Sequence, residues 1–449
     1  MIRINSIRLI CLFLSLNSNC QNFRSEKELD NLFTSHFSAN TPGCSALVSQ
    51  NGKIIYEKAF GSANLELKVP AKPQTIFSLA SITKQFTAIS ILQLVSQGKI
   101  ALSDNVQKHI PDFPANNILI ENLLSHTSGL KDYLQVDTGQ KFGERLDYKP
   151  VELINVFRNL PLEYEPGTKY AYCNSDYILL GYIIEQVSGK TYQEYLSENI
   201  FDPLGMTDTY YDSDETIIQN RASGYFKDGK IYKKAEFWSA TIGYSAGGLL
   251  SSTIDLQKWQ NGILSYKILK KELLDLAFTP YKLKDGTVIN YGFGWNITEF
   301  NGIKRIDHGG AKNGFCTYEA YFPEQQLFMV LLFNSESAPR DELSIKVSEI
   351  LLGKSLQKEI QLSDAVLNSY VGVYSLVSDP KRTITIRKER EGMSATISGQ
   401  GSFSILFQSE TKFQMKNLSD IKCEFKTTNG KVVSIIAEQQ GIFEWSKIK

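Results

Sequence analysis

Two groups of strand-like segments, one near the start of the chain and one after residue 300, most strongly limit the folds available to it. The first group flanks Asn51-Gly52, a dipeptide typical of tight β-hairpin turns, and the residues between the groups carry a mostly helical pattern. The predicted strands are 45–50, 53–58, 302–308, 315–322 and 327–334, and the predicted helices are 84–98, 176–187, 192–200 and 253–277. We therefore predict an α+β fold, in which an antiparallel sheet built from both ends is flanked by helices and carries an inserted helical lobe.

The pattern changes after about residue 355, which indicates a second domain. Short stretches of alternating polar and apolar residues follow, separated by Gly, Asn, Ser and Asp, at 382–388, 394–398, 403–407, 413–416, 421–426 and 432–437. Such spacing is typical of a small all-β barrel or sandwich. A chain of 449 residues also exceeds one typical domain. We predict a main domain over residues 21–355 and a small C-terminal all-β domain of unknown function over 356–449.

The N-terminus has the pattern of an export signal. Arg3 and Arg8 precede a short apolar stretch at 9–16, and small residues then lead to Cys20. The apolar stretch is too short to cross a bilayer, so we predict a signal peptide over residues 1–20 and a periplasmic or extracellular protein without a transmembrane segment. The alternative is a lipoprotein anchored through Cys20, although the residues around it fit a lipid-attachment site poorly.

Composition excludes several classes of function. Lys plus Arg and Asp plus Glu both number 48, so no net charge favours nucleic acid or an anionic membrane. Beyond the predicted signal peptide the cysteines are widely spaced, at Cys44, Cys173, Cys316 and Cys423, and the four histidines are scattered. We therefore expect neither a metal site nor a cofactor.

Ser81-Ile82-Thr83-Lys84 is the most informative motif for chemistry. On a helix, residues three apart share a face, so the Lys84 amine can reach the Ser81 hydroxyl. A serine hydroxyl attacks a carbonyl poorly at neutral pH unless a base lies beside it. The apolar residues on both sides predict a buried helix whose first turn carries Ser81. Alone, this motif is a common chance match on a helix surface, so it needs support from elsewhere in the chain.

Two later motifs supply that support. Tyr172-Cys173-Asn174 follows the turn signal Glu165-Pro166-Gly167 and precedes a helical pattern, which places Tyr172 and Asn174 in a loop entering a helix. His308-Gly309-Gly310 ends a predicted strand, where consecutive glycines let a substrate approach the backbone closely. Each motif also has a purely structural interpretation, as a core tyrosine, a helix cap or a tight turn. The order and spacing of the three together favour a functional site.

Together the three motifs resemble the signature of the serine beta-lactamase/penicillin-binding superfamily. The Tyr-x-Asn form is similar to the class C-like branch, which includes D-alanyl-D-alanine carboxypeptidases, D-amino-acid amidases and esterases. The resemblance covers about residues 27 to 350. It implies a beta-lactamase/transpeptidase-like fold and makes residues 21–355 a serine hydrolase domain.

The resemblance also implies a role for each motif residue. Ser81 is the nucleophile that becomes acylated, while Lys84 and Tyr172 are the catalytic proton shuttles. A tyrosine beside a cation is expected to ionise more easily than usual. The implied substrate-binding residues are Asn174, His308, Gly309, Gly310 and Ala311. The backbone N–H groups of Ser81 and Ala311 are the implied oxyanion hole.

One departure from the superfamily pattern lies at His308. Beta-lactamases usually carry Lys-Thr/Ser-Gly at this element, where the lysine is a permanent cation for a substrate carboxylate. A histidine with an ordinary pKa is half-charged near pH 6.5, so efficient beta-lactam hydrolysis is not expected. If a carboxylate is held nevertheless, Lys312 is an alternative cation.

These observations predict an exported serine hydrolase that acts through an acyl-enzyme on esters, amides or D-amino-acid peptides. Its partner is then a small-molecule or peptide substrate, and the sequence does not indicate an oligomeric state. Two alternatives stay open: a beta-lactamase or penicillin-binding D-alanyl-D-alanine carboxypeptidase, and a non-catalytic relative that uses the fold for binding or assembly. Intact Ser81, Lys84, Tyr172 and Asn174 favour catalysis over the last of these.

Overall fold

The computed structural model describes two compact units. The described residues are 25–114, 117–136, 147–353, 360, 362–389, 392–398, 401–415, 418–428, 430–438 and 442–448. The first unit ends at Arg340, and the second begins at Asp341 and also includes Phe300–Gly302. The predicted signal peptide over 1–20 lies outside the described residues, and so does the predicted domain boundary, which falls within 354–359. The division at residue 355 stays a prediction.

The first unit is organised around a six-stranded antiparallel sheet. Its strands are β1 (Cys44–Gln50), β2 (Lys53–Phe60), β3 (Asn296–Phe300), β4 (Ile303–Lys312), β5 (Phe315–Phe322) and β6 (Leu327–Phe333), in the order β3-β4-β5-β6-β1-β2. The strands from both ends of the unit meet where β1 pairs with β6, with Leu47 opposite Val330. Every residue of β6 is buried, because this central strand is covered on both faces.

Helices cover the sheet and form the inserted lobe. The described chain begins in a helix at 25–36, and the helices that follow in this unit are α1 (Thr83–Ser96), α2 (Ile120–Leu124), α3 (Pro150–Phe157), α4 (Asn174–Ser188), α5 (Tyr192–Leu196), α6 (Asp202–Leu204), α7 (Ala240–Gly247), α8 (Thr253–Leu264) and α9 (Lys271–Ala277). Helix α1 is buried from Thr83 to Leu94, so it lies at the centre of the unit rather than on its surface. None of the described helices is long and apolar enough to cross a membrane.

The prediction of one long helix over 253–277 was wrong. The structure has two helices there, α8 and α9, because the chain turns at Tyr266, whose backbone is left-handed with φ 58°. A non-glycine residue in that conformation cannot continue a right-handed helix. Apolar residues recur on both sides of the turn, at 263–264 and 268–269, and neither Gly nor Pro stands between them, so periodicity alone did not indicate the break.

The second unit contains an eight-stranded closed barrel. Helices α10 (Arg340–Leu352) and α11 (Asp364–Tyr370) precede its strands, which are β7 (Gly372–Leu376), β8 (Asp379–Lys388), β9 (Met393–Ile397), β10 (Gly401–Phe407), β11 (Lys412–Met415), β12 (Leu418–Thr428), β13 (Lys431–Glu438) and β14 (Ile442–Lys447). Strands β7 and β14, which the sequence pattern missed, pair with each other and close the barrel. Its core includes Tyr370 stacked on Phe425 at 4.0 Å between ring centroids. The predicted α+β fold with a C-terminal all-β domain is confirmed, and the domain is a barrel.

Candidate active site

Ser81 lies on a tight turn that enters the central helix. The turn is a short 3-10 helix, Ala80–Ile82, which runs directly into α1, and Ala80 has a left-handed backbone with φ 48°. Strand β4 packs against this turn at Gly310, where an added Cβ would lie only 2.3 Å from the Leu79 carbonyl oxygen. Only glycine therefore fits at position 310, and the strand that carries the His-Gly-Gly motif lies beside the half-buried Ser81.

The Lys84 amine is buried and contacts the Ser81 hydroxyl. Its Nζ lies 3.2 Å from Ser81 Oγ, 2.8 Å from Asn174 Oδ1 and 2.8 Å from the carbonyl oxygen of Ala246. Burial lowers the pKa of Lys84 to about 7, although the negative charge of Asp132 opposes the shift. Near neutral pH, about half of the molecules then carry a neutral amine whose lone pair can accept the Ser81 proton.

Tyr172 lies on the other side of the same hydroxyl. Its phenol hydrogen-bonds to Ser81, and its ring centroid lies 4.9 Å from Lys84 Nζ. Burial raises the pKa of Tyr172, and the hydrogen bond from Ser81 opposes the rise. Because 37% of the residue remains exposed, we expect a smaller rise than full burial would give. The expectation that Tyr172 ionises more easily than an ordinary tyrosine was wrong, so the phenol stays protonated at neutral pH.

Asp132 holds Asn174 in place, and the sequence analysis missed this residue. Its Oδ2 accepts hydrogen bonds from Asn174 Nδ2 at 2.8 Å and from the Asn174 backbone N–H at 2.9 Å. Because the amide nitrogen donates to Asp132, the amide oxygen of Asn174 faces Lys84. Asp132 belongs to no motif, and its only local signal is that Oδ1 caps the short turn Tyr133–Gln135.

His308 is buried and neutral. Its Nδ1 lies 2.7 Å from the Gly309 carbonyl oxygen, which can only accept, so Nδ1 carries the proton. Its Nε2 then accepts from the Tyr291 hydroxyl at 3.2 Å. Burial lowers the pKa of His308 to about 3, and the nearby Lys84 charge acts in the same direction. The expectation of partial charge near pH 6.5 was wrong, because it took no account of desolvation.

The backbone after His308 has an open edge. Strand β3 begins at Asn296, whose side chain hydrogen-bonds to Asp307 at 3.2 Å, so β3 pairs only with the first half of β4. Among the described strands, none pairs with the outer edge of residues 308–312. A substrate backbone can add to such an edge as an extra strand. The oxyanion-hole role of the Ser81 and Ala311 N–H groups stays a prediction.

A buried polar network supports the wall behind Tyr172. His126 Nδ1 lies 3.0 Å from Asp176 Oδ2, and the His126 ring lies 4.4 Å from the Tyr172 ring between centroids. His126 is fully buried and its ring is packed among tyrosines, including Tyr177 at 5.0 Å. This position fits a structural role for His126.

Comparisons with known proteins show the family of this chain. A family model described as Beta-lactamase matches residues 28–352. Penicillin-binding protein 4* of Bacillus subtilis (strain 168) is 30% identical over 443 residues, which cover 92% of this chain and 97% of that protein. The chain belongs to the beta-lactamase family. The predicted resemblance to the serine beta-lactamase/penicillin-binding superfamily is therefore confirmed.

Solved structures of the superfamily share the fold. The octameric penicillin-binding protein homologue from Pyrococcus abyssi superposes with a TM-score of 0.64 and 26% identity, over 91% of this chain and 96% of that one. The D-amino acid amidase from Ochrobactrum anthropi SV3 superposes with a TM-score of 0.64 and 24% identity, over 74% of this chain and 99% of that one. Family membership supports a serine hydrolase in general terms.

Activity of this beta-lactamase family member is expected to rise with pH through about 7. Only the neutral Lys84 amine can accept the Ser81 proton, and its pKa lies at about 7. Below that pKa, kcat/KM on a neutral ester should fall about tenfold per pH unit. His308 should not contribute to the pH dependence of kcat/KM near neutral pH, because it stays uncharged there. A pH profile that is flat between about pH 5 and pH 8 would contradict the role given to Lys84.

Asp132→Asn is expected to move the fall of kcat/KM below pH 7 toward lower pH. The Asp132 charge raises the pKa of Lys84, so removing that charge should lower it further. The variant also replaces an oxygen that accepts two hydrogen bonds from Asn174, so kcat should fall by about ten- to a hundredfold. The measurement is kcat/KM against pH. A loss of activity with no shift of this fall would mean that Asp132 acts only through structure, and Asp275→Asn on the surface is the matched control.

Proposed function

We propose that this chain is an exported serine hydrolase that forms an acyl-enzyme on Ser81 from esters, amides or D-amino-acid peptides. One observation carries the proposal: a buried lysine with a pKa of about 7 lies 3.2 Å from the serine hydroxyl, beside an open strand edge. A structural lysine is normally charged and exposed, whereas a desolvated amine beside a serine is poised to accept its proton. Export rests on the N-terminal sequence pattern.

In the proposed mechanism, one proton moves along the residues around Ser81. Ser81 Oγ attacks the substrate carbonyl carbon while its proton passes to neutral Lys84, and the carbonyl becomes an oxyanion held by the N–H groups of Ser81 and Ala311. As the tetrahedral intermediate collapses, Tyr172 gives its proton to the leaving group and Lys84 replaces it. Water then attacks the ester on Ser81 by the same path in reverse. The Asn174 amide oxygen orients Lys84 throughout.

The choice among esters, amides and D-amino-acid peptides rests on the family. Penicillin-binding protein 4* of Bacillus subtilis matches 92% of this chain, and its name records the binding of penicillin, a cyclic amide, which supports an amide among the substrates. The likeness to the Ochrobactrum anthropi amidase lies at 24% identity, so it supports the fold and leaves the amide substrate a proposal. A protonated tyrosine beside the nucleophile favours expelling poor leaving groups such as amines, because they must leave protonated.

A beta-lactamase or D-alanyl-D-alanine carboxypeptidase is the second candidate. Both act on substrates with a carboxylate next to the leaving nitrogen, and neutral His308 provides no charge for it. Arg340 keeps this candidate open, because its Nη1 donates to the Gly310 carbonyl oxygen at 3.2 Å and its guanidinium is a permanent cation beside the strand. Turnover of a chromogenic cephalosporin faster than of a neutral p-nitrophenyl ester would favour this candidate over the first.

Fluorophosphonate labelling tests catalysis against a purely binding role. A fluorophosphonate reacts only with an activated serine, so we expect covalent labelling of the full chain at Ser81. A panel of p-nitrophenyl esters, D-alanyl peptides and a chromogenic cephalosporin then ranks the substrates. An unlabelled protein that turns over none of them would favour the non-catalytic alternative.

A further inference from the structure

A polar cavity lies beside the turn that carries Ser81. It encloses about 340 Å³, and we call it the Lys312 pocket after the cation on its wall. The residues that matter here are Ser78, Asp212, Arg221, Trp238, Lys312 and Phe315. None of these residues has a role in the proposed acyl-transfer step. Because the lining combines aromatic rings with charged side chains, the pocket suits a substrate group that has both an apolar and a charged part.

The strand register places this pocket next to the reacting atoms. Side chains on β4 alternate between faces, so Lys312 shares the face of His308 and Gly310. Gly310 packs against the turn that carries Ser81, and Lys312 lies two residues further, about 7 Å along the strand. The cross-strand partner of Lys312 is Phe315, which lines the same pocket. The Lys312 pocket therefore continues the open strand edge away from the nucleophile.

The direction of the proton path identifies which part of a substrate lies there. The leaving group must lie beside the proton donor, Tyr172, whose ring lies 6.1 Å from the ring of His308. His308 and Lys312 are at opposite ends of the open edge of β4. A substrate whose leaving group lies toward Tyr172 therefore extends its acyl group toward Lys312.

A nearly buried ammonium group, Lys312 Nζ, faces the pocket and has donors to spare. Asp212 is almost fully buried, and its two carboxylate oxygens bind Lys312 Nζ at 2.9 Å and Arg221 Nη2 at 2.7 Å. One carboxylate thus serves two cations and the trio sums to about +1, whereas all six charged lining residues, with Asp214, Glu236 and Lys234 included, sum to zero. Lys312 Nζ has three donor hydrogens, whereas Asp212 is its one hydrogen-bond acceptor among the described residues.

The other polar residues of the Lys312 pocket lie at its floor and its rim. The hydroxyl of Ser78 is 98% buried by residue area and has no hydrogen-bond partner among the described residues, so it is a further donor at the floor. Asp214 keeps its negative charge while it accepts from the backbone N–H of Ala240 at 3.0 Å, but it is exposed, so solvent screens it more than the buried groups. Glu236 and Lys234 are exposed on the rim, where their opposite charges offset each other. Among the described lining residues, the Ser78 hydroxyl and the spare donor hydrogens of Lys312 are therefore left for a ligand.

We propose that the Lys312 pocket is the acyl-side subsite and that it selects acyl groups that end in a carboxylate. This inference rests on the proposed function, since it assigns a position to the acyl group that Ser81 would take up. The carboxylate hydrogen-bonds to Lys312 and Ser78, while the chain that links it to the reacting carbonyl packs against Trp238 and Phe315. Such an acyl group is a dicarboxylic half-ester or a peptide with an acidic side chain.

Two esters that differ only in charge test this selection. The pair is p-nitrophenyl hydrogen adipate and its methyl ester, compared by kcat/KM at about pH 8, where neutral Lys84 predominates. We expect the wild-type protein to prefer the acid by about tenfold or more, the effect of one charged hydrogen bond. Lys312→Met should lower that ratio to about one. Lys234→Met on the rim is the matched control and should keep the wild-type ratio.

A binding measurement decides the subsite independently of turnover. The Ser81→Ala protein is titrated with adipamate, and with neutral adipamide as its twin, while tryptophan fluorescence reports on Trp238. Adipamate should saturate the signal and adipamide should not, and both Lys312→Met and Trp238→Phe in the same background should remove the change. Lys312→Arg keeps the positive charge, so it should retain the preference for the acid ester. It replaces the methionine variant in the comparison if Lys312→Met does not fold.

The possible outcomes separate this inference from the proposed function. If no ester is hydrolysed but adipamate binds through Lys312, the proposed function fails and the anion subsite stands. If both esters are hydrolysed with equal kcat/KM in the wild type and in Lys312→Met, the hydrolase stands and the subsite is overturned. Adipamate binding that Lys312→Met leaves unchanged also overturns it.

Discussion

Replacing Ser81 by alanine is expected to abolish fluorophosphonate labelling and to lower kcat/KM on every accepted substrate by about four to six orders of magnitude. The structure brings the Lys84 amine to this one hydroxyl, at 3.2 Å, and Tyr172 hydrogen-bonds to the same oxygen. Without Oγ, neither group has a nucleophile to activate. Digestion of the labelled wild-type protein, followed by mass spectrometry, identifies the modified residue.

A serine at the end of helix α1, which follows the turn that carries Ser81, provides the control for that experiment. Ser96 is exposed at the end of α1, so Ser96→Ala should keep wild-type labelling and turnover. Ser81→Ala removes one hydroxyl from a half-buried position, and its thermal unfolding should stay close to that of the wild type. Undiminished labelling in Ser81→Ala would place the nucleophile elsewhere in the chain.

The parts of the fold that the sequence predicted well are those set by local chemistry. Asn51-Gly52 fixes a hairpin because both residues adopt positive φ, 51° and 74°, as the turn requires. The strands predicted at 315–322 and 327–334 lie within one residue of β5 and β6, because long apolar runs between turn signals have few other interpretations. The two missed barrel strands, β7 and β14, are the first and the last of the barrel, and their pairing with chain neighbours and with each other is not visible in the local sequence.

The candidate site shows where local reasoning ends. Ser81, Lys84, Tyr172 and Asn174 converge as their motifs implied. Asp132 could not be predicted, since its two hydrogen bonds to Asn174 depend on a loop brought in from 42 residues earlier in the chain. The direction of each pKa shift also depends on desolvation, which no motif encodes.

The protonation of His308 illustrates this dependence. From its residue type alone, an imidazole is half-charged near pH 6.5. In the folded chain it is 97% buried by residue area, its two ring nitrogens are engaged by Gly309 and Tyr291, and its pKa falls to about 3. The histidine that replaces the usual lysine is therefore a neutral hydrogen-bonded residue of the wall, and any selection of anionic substrates has to come from cations elsewhere.

Lys84 and Tyr172 are expected to act as one unit, so that Lys84→Met, Tyr172→Phe and the double variant lose nearly the same activity. Both groups contact the Ser81 hydroxyl, and the amine lies 4.9 Å from the phenol ring. If the proton must pass through both groups, removing either group breaks the path. Each single change should therefore lower kcat by about three to four orders of magnitude. Methionine keeps most of the volume of the buried lysine stem, and phenylalanine removes only the hydroxyl.

The double-variant cycle gives a sharp test of that shared path. If each group acted independently, the losses of the two single variants would multiply in the double variant. If they form one path, the second change adds less than about tenfold to the first. Tyr210→Phe removes an exposed hydroxyl that donates a hydrogen bond to the Thr207 carbonyl oxygen, and it should leave kcat unchanged. Multiplying losses, in variants whose thermal unfolding matches the wild type, would refute the relay and leave Lys84 as an independent base, because its pKa of about 7 already suits that role.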